Sequence, residues 1–232
     1  MTKRIDTLLH TLSAPPGSLP ERQVRRWCET SRPFLAFAEE HATKIRRKVR
    51  QAGTPDEMLA LLGELAVAAA LLSDARFGVR YEPQKAGGER SPDLQAVFRG
   101  HTALNVEVTR LRGAGALDGA GLALRLARVL CDKIGQFPGG ALNLLLVLLP
   151  EGAPAPVAEA VRLLDRFPEG VGAAVLRPEG VTAFRRGRPR LGAVATAEWS
   201  EAGGLRGGEL WLNKQARHPL PPELLRVIER LI

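Results

Sequence analysis

The spacing of apolar and polar positions changes character several times along the chain. Residues 2–12 carry apolar side chains at helical intervals and predict a short helix, broken by Pro15, Pro16, Gly17 and Pro20. Residues 33–51 predict a second helix. Its later half, Lys44-Ile45-Arg46-Arg47-Lys48-Val49-Arg50, is basic, with Ile45 and Val49 four apart on one face. Thr54-Pro55-Asp56-Glu57 is a capping box with proline at the first helical position, opening a helix that runs to about Asp74. That segment is apolar nearly all round, the pattern of a helix buried on most sides.

Three short segments of strand character come next, at 77–82, 94–98 and 103–110, with Arg99-Gly100-His101 turning between the last two. A helix is expected from about Ala120 to Gln136, stopped by Pro138-Gly139-Gly140. Residues 141–149 form a continuous apolar run, as in a strand covered on both faces. Beyond it the pattern predicts a helix at 155–166, a strand at 172–176 and a hairpin at 180–197 turning through Arg185-Arg186-Gly187-Arg188-Pro189. A short strand at 210–212 and a final helix at 221–231 complete the series. Helix, three-strand meander, helix, strand, helix, strand is the order of an α/β fold with a central mixed sheet flanked by helices. Residues 1–52 read as a basic helical extension and 53–232 as the α/β domain.

Composition narrows the class. The 232 residues are 45% hydrophobic and 25% charged, which is ordinary for a globular chain and argues against disorder. Aromatics are 5%, so Leu, Ala and Val must fill the core. Two cysteines, Cys28 and Cys131, with no CxxC pair exclude a disulfide scaffold and a zinc knuckle. No apolar run reaches the length of a membrane span, and a cytoplasmic protein is expected.

The net charge of +8 is unevenly placed. Residues 1–52 hold eleven Lys and Arg against five Asp and Glu, and residues 177–190 hold five Arg against one Glu. Two basic regions flanking a near-neutral middle point to a polyanionic partner, nucleic acid first. An arginine-rich solvated surface explains the same charge equally well. Residues 1–52 could also pack on a second copy of the chain as a homodimer.

Three carboxylates stand where carboxylates are costly. Glu64 is the one charged residue between Met58 and Leu72, so it needs a cation or strong donors unless it lies on a thin exposed stripe. Asp93 follows Ser91-Pro92 and opens a strand, a common place for a turn aspartate as well. Period two puts Asn105, Glu107 and Thr109 on one face of their strand and Val106 and Val108 on the other. Carboxylates on adjacent antiparallel strands can converge within reach of one metal ion, and hard oxygen donors suit Mg²⁺ or Mn²⁺.

In this order the residues resemble the PD-(D/E)xK, or restriction-endonuclease-like, nuclease superfamily. The resemblance rests on Glu64 in the first core helix, Pro92-Asp93, and Glu107-Val108-Thr109. The helix ending Lys133-Ile134-Gly135-Gln136 and the strand at 142–149 extend it, so that it covers roughly residues 54–176. The tail from Trp211 to Pro221 is similar to that of uncharacterised bacterial proteins bearing this core. The resemblance implies a metal-dependent nuclease in which Asp93 and Glu107, with the Val108 carbonyl, bind catalytic Mg²⁺ or Mn²⁺. Glu64 would assist, as a further ligand or through a water. Where the family has lysine this chain has Thr109, which can orient a water but carries no positive charge. Activity is then weakened or lost, or another cation has taken over. Lys85 and Lys133 are the nearest candidates, whereas Arg110 points to the opposite face of its strand. Contacts to DNA phosphates would come from Arg46, Arg47 and Lys48 on the basic helix, Arg112 beyond the active strand, and Arg185, Arg186 and Arg188 at the hairpin tip.

Other chemistries find no support in the sequence. His10, His41, His101 and His218 have no metal-ligand spacing, no Walker or nucleophile-elbow motif occurs, and Trp27, Trp199 and Trp211 are scattered. The reading that competes with a nuclease is a non-catalytic nucleic-acid-binding or protein-interaction module that keeps the three carboxylates as a polar cluster.

Overall fold

The structure, a computed structural model, describes residues 2–83, 91–111, 118–153, 156–167, 176–200 and 204–232. Four helices precede the sheet: α1 (Thr2–Leu12), α2 (Leu19–Thr30), α3 (Arg32–Glu40) and α4 (Ala42–Gln51). Pro20, expected to break a helix, instead lies in the first turn of α2, where its missing N–H has no intrahelical partner to lose. The single helix expected over 33–51 is two helices, with His41 (φ −102°, ψ 13°) at the junction. Ser31 starts α3 by accepting the Phe34 amide at 3.2 Å.

Helix α5 (Pro55–Leu72) opens with the expected capping box: Thr54 Oγ1 accepts the Glu57 amide at 3.3 Å, and Glu57 Oε2 accepts the Thr54 amide at 3.1 Å. Its Gly63 lets the helix lie close on the sheet, since a Cβ there would come within 2.5 Å of Leu148 Cδ1. That close crossing fixes the depth of the next residue, Glu64.

Among the described residues six strands form one mixed sheet in chain order. β1 (Phe77–Tyr81), β2 (Leu94–Phe98) and β3 (Thr102–Arg110) are an antiparallel meander. α6 (Gly119–Lys133) crosses over to β4 (Leu142–Leu149), which is parallel to β3. α7 (Val157–Arg166) and α8 (Pro178–Gly187) then lead to β5 (Ala193–Ser200), parallel to β4, and β5 turns back antiparallel into β6 (Gly204–Leu212). α9 (Pro222–Leu231) ends the chain. This is the α/β mixed sheet the element order predicts.

The sheet separates two cores. Val106, Val108, Leu144, Leu146 and Leu148 face α5, α9 and the four N-terminal helices, with Ile5, Leu12, Phe34 and Ile45 in the same apolar cluster. Leu145, Val147, Leu149 and Val194 face α6, α7 and α8. The apolar sides of α1–α4 are therefore buried within their own chain.

Two expectations at the C-terminal end need correction. Residues 178–187 form α8, not one arm of a hairpin: Val181 and Phe184 are buried, and Gly187 sits so close to Ile134 that a Cβ would come within 2.7 Å of it. The hairpin is β5–β6, and the short strand expected at 210–212 is the end of the nine-residue β6. The strand expected at 172–176 lies, apart from Leu176, outside the described residues. Among the described residues no helix is long and apolar enough to cross a membrane.

Candidate active site

The site forms where β2 and β3 part. The β2–β3 ladder ends at Leu94 opposite Val106, while β3 runs on to Arg110 beside β4. Asp93 immediately precedes β2, its carbonyl accepting the Glu82 amide at 2.9 Å. Beyond the end of β2 the Val108 amide finds a side chain in place of a main-chain partner, and donates to Asp93 Oδ2 at 2.9 Å. In a strand the N–H and C=O of one residue face the same edge, so the Val108 carbonyl turns toward Asp93 as well.

Glu107 sits one residue earlier and projects from the other face, toward α6. It is 5% exposed, and its Oε1 accepts from Lys133 Nζ at 2.8 Å. Gln136 Oε1 steadies the same ammonium at 3.3 Å. Glu64 reaches the site from α5 on the opposite side of the sheet. Its Oε2 accepts from Tyr81 Oη at 2.5 Å and from Lys48 Nζ at 2.7 Å.

Electrostatics tie the three carboxylates together. Burial pushes Glu64 up to about 6, and the charge of Asp93 adds to the rise. Burial and the same Asp93 charge also raise Glu107, against the pull of Lys133. The charge of one aspartate thus opposes ionisation of both glutamates. Burial works against the Lys48 ammonium, but Glu64 and then Glu82 outweigh it and raise its pKa. The Tyr81 phenol is pushed well above its ordinary value by burial and by Glu64 beside it, so it acts as a donor.

Helix α4 supplies the surrounding cations. Lys44 Nζ donates to the carbonyls of Tyr81 and Glu82 at 2.8 and 2.6 Å. Arg47 pairs with Glu82 at 2.8 Å, and Lys48 also reaches Glu82 at 3.1 Å while lying 5.0 Å over the Tyr81 ring. Lys48, expected on DNA phosphates, is therefore turned inward onto the acidic cluster. Arg46 faces away, lining a groove with Asp6, His10 and Arg25.

The remaining expected residues divide. Thr109 is half-buried on the same face of β3 as Glu107. Arg110 bonds Asp56 on α5 at 3.1 Å, on the opposite face, as expected. The hairpin tip proposed for Arg185, Arg186 and Arg188 does not exist. Arg185 donates to the carbonyls of Leu164, Asp165 and Phe167 at the end of α7. Arg188 pairs with Asp165 at 2.6 Å over the Trp211 ring, and Arg186 is exposed on α8. Lys85 and Arg112 lie outside the described residues.

The donor chemistry fits a hard divalent cation, with three carboxylates and a main-chain carbonyl, all oxygen. As the side chains stand, no group of three or more His, Cys, Asp or Glu among the described residues is assembled to hold a metal ion. Lys48 and Lys133 hold the glutamate oxygens instead.

Sequence reasoning missed Lys48, Tyr81 and Glu82 as members of the site. Tyr81 is the sole tyrosine and ends a strand, which was a usable signal. Nothing local distinguishes Lys48 from its basic neighbours. Comparison of the chain with protein families, curated proteins and solved structures finds no match.

Proposed function

We propose that the chain is a metal-dependent phosphodiesterase acting on DNA, built on a core of the PD-(D/E)xK type. The observation that carries this reading is that Asp93 Oδ2 accepts the Val108 amide at 2.9 Å where β2 and β3 separate, which sets its carboxylate beside the residue that follows Glu107. Carboxylates close enough to act on one another repel unless a cation lies among them. Asp93, Glu107 and the Val108 carbonyl would hold Mg²⁺ or Mn²⁺. When bound, the ion supplies positive charge at the scissile phosphate and makes a water more acidic.

The chain's own residues do the rest. Lys133 brings an ammonium to Glu107 on the face of β3 that Thr109 shares, and so takes the place of the lysine missing at Thr109 in steadying developing negative charge. Tyr81 fixes the rotamer of Glu64 by bonding Oε2. The Thr109 hydroxyl, from a side chain on the same face of β3 as Glu107, would orient a water. The basic surplus of residues 1–52 favours a polyanionic substrate.

Cleavage of supercoiled plasmid and of single-stranded DNA, with and without Mg²⁺ or Mn²⁺, tests the proposal. Metal-dependent cleavage is expected, falling by about a hundredfold or more in Asp93→Ala and in Glu107→Ala. Absence of cleavage with either ion rejects it. One observation favours the competing reading of a non-catalytic binding module: Glu64 and Glu107 already have lysine partners, and an acidic cluster neutralised from within needs no metal. That module would bind DNA without metal and leave it intact.

A further inference from the structure

The phosphodiesterase reading leaves Lys48 without a role. Lys48 comes from the N-terminal helices, not from the sheet or its crossover, yet its Nζ lies 2.7 Å from Glu64 and 3.1 Å from Glu82. Its surroundings differ from those of the other nearby lysines. Lys44 is bound to two main-chain carbonyls at the end of β1, where it holds α4 to the strand. Lys133 faces Glu107, whose side chain is 7% exposed. Lys48 can leave without orphaning either partner: Tyr81 Oη remains on Glu64 Oε2 at 2.5 Å, and Arg47 remains on Glu82 at 2.8 Å. Its own side chain is 23% exposed, against 14% for that of Glu64.

Resting on that reading, we propose that Lys48 is an exchangeable counter-cation: it holds the acidic cluster together until a divalent ion enters, then yields Glu64 and turns to the phosphate of the substrate. Helix α4 is then part of the reaction site, and the helical extension completes the pocket.

A structural salt bridge and an exchangeable one respond differently to metal. Removing a structural cation loosens the site and weakens metal binding. Removing a competing cation leaves the carboxylates more negative and strengthens it, while cleavage still suffers. Calorimetric titration with Mn²⁺ on the full chain, without nucleic acid, is expected to show Lys48→Met binding about tenfold tighter than wild type. At saturating Mn²⁺ the same variant is expected to cleave plasmid about a hundredfold more slowly. Lys48→Arg restores the Mn²⁺ affinity. Weaker or unchanged Mn²⁺ binding by Lys48→Met overturns the proposal.

A measurement on the wild type covers the case in which that variant does not fold. Amine acylation read by mass spectrometry should report Lys48 as several-fold more reactive once Mn²⁺ is added, with Lys44 unchanged as the internal control. Equal reactivity of Lys48 with and without Mn²⁺ overturns the exchange while leaving the metal site in place. A wild type that binds no Mn²⁺ sinks the phosphodiesterase reading itself, and the exchange with it.

Discussion

Half-buried Glu64 bonds the Tyr81 hydroxyl and buried His41 bonds its amide, and each meets the penalty of burial differently. Glu64 keeps donors, with Lys48 and Tyr81 both on Oε2. His41, at the junction of α3 and α4, stays neutral: its Nε2 accepts the Tyr81 amide at 3.3 Å, and its ring stands edge-on to Phe37 at 4.9 Å. Burial holds the imidazole below its ordinary 6.5, with nearby Lys44 adding to the effect and Glu40 opposing it. The sign follows from linkage. Below 6.5 the unfolded chain takes up a proton that folded His41 resists, so the stabilisation is complete above that pH and is lost as pH falls toward the folded value. Urea unfolding of the wild type should therefore lose stability on acidification relative to His41→Gln, whose amide oxygen can accept the same bond without titrating. Parallel pH profiles for the two proteins would contradict this placement of His41.

Helix α5 carries Glu64, and its start depends on Thr54. The capping box satisfies donors at the first turn and sets where the helix begins. Thr54→Ala should destabilise the chain by about 1 kcal/mol, read as a lower urea midpoint with unchanged slope. An unchanged midpoint would show that packing alone places the helix. This element was legible because its signals are local: a cap, a proline at the first position, then an apolar run that only Glu64 interrupts. The meander was legible for the same reason, since period-two alternation in 103–110 assigns Glu107 and Val108 to opposite faces. Other elements were not. Pro20 looks the same in a loop as in a first helical turn, and what decides is that Val24 and Cys28 find the core. The break at His41 is set by the Tyr81 amide, forty residues away. The arginine-rich stretch after residue 184 carries turn letters, but Val181 and Phe184 at helical spacing pack against the end of α6 and hold it as a helix.

At the scale of the molecule, the candidate site exists because one sheet presents two faces to two sets of helices. Glu64 arrives from one face, Glu107 projects from the other, and Asp93 lies where the antiparallel β2–β3 ladder stops. The acidic residues were readable: Glu64 interrupts an apolar run, Asp93 follows a proline at a strand start, and Glu107 falls on the polar face of an alternating strand. The cations were only half readable. Lys133 could be named because it lies on the crossover after the active strand. Lys48 could not, because its pairing depends on how the N-terminal helices dock over β1. The central proposal is that Asp93 and Glu107, assisted by Glu64, hold one divalent ion. Anomalous scattering from a crystal soaked in Mn²⁺ tests it most directly: the account predicts a peak bounded by the Asp93 and Glu107 carboxylates beside the Val108 carbonyl, with Lys48 moved off Glu64, and it is contradicted by no peak there.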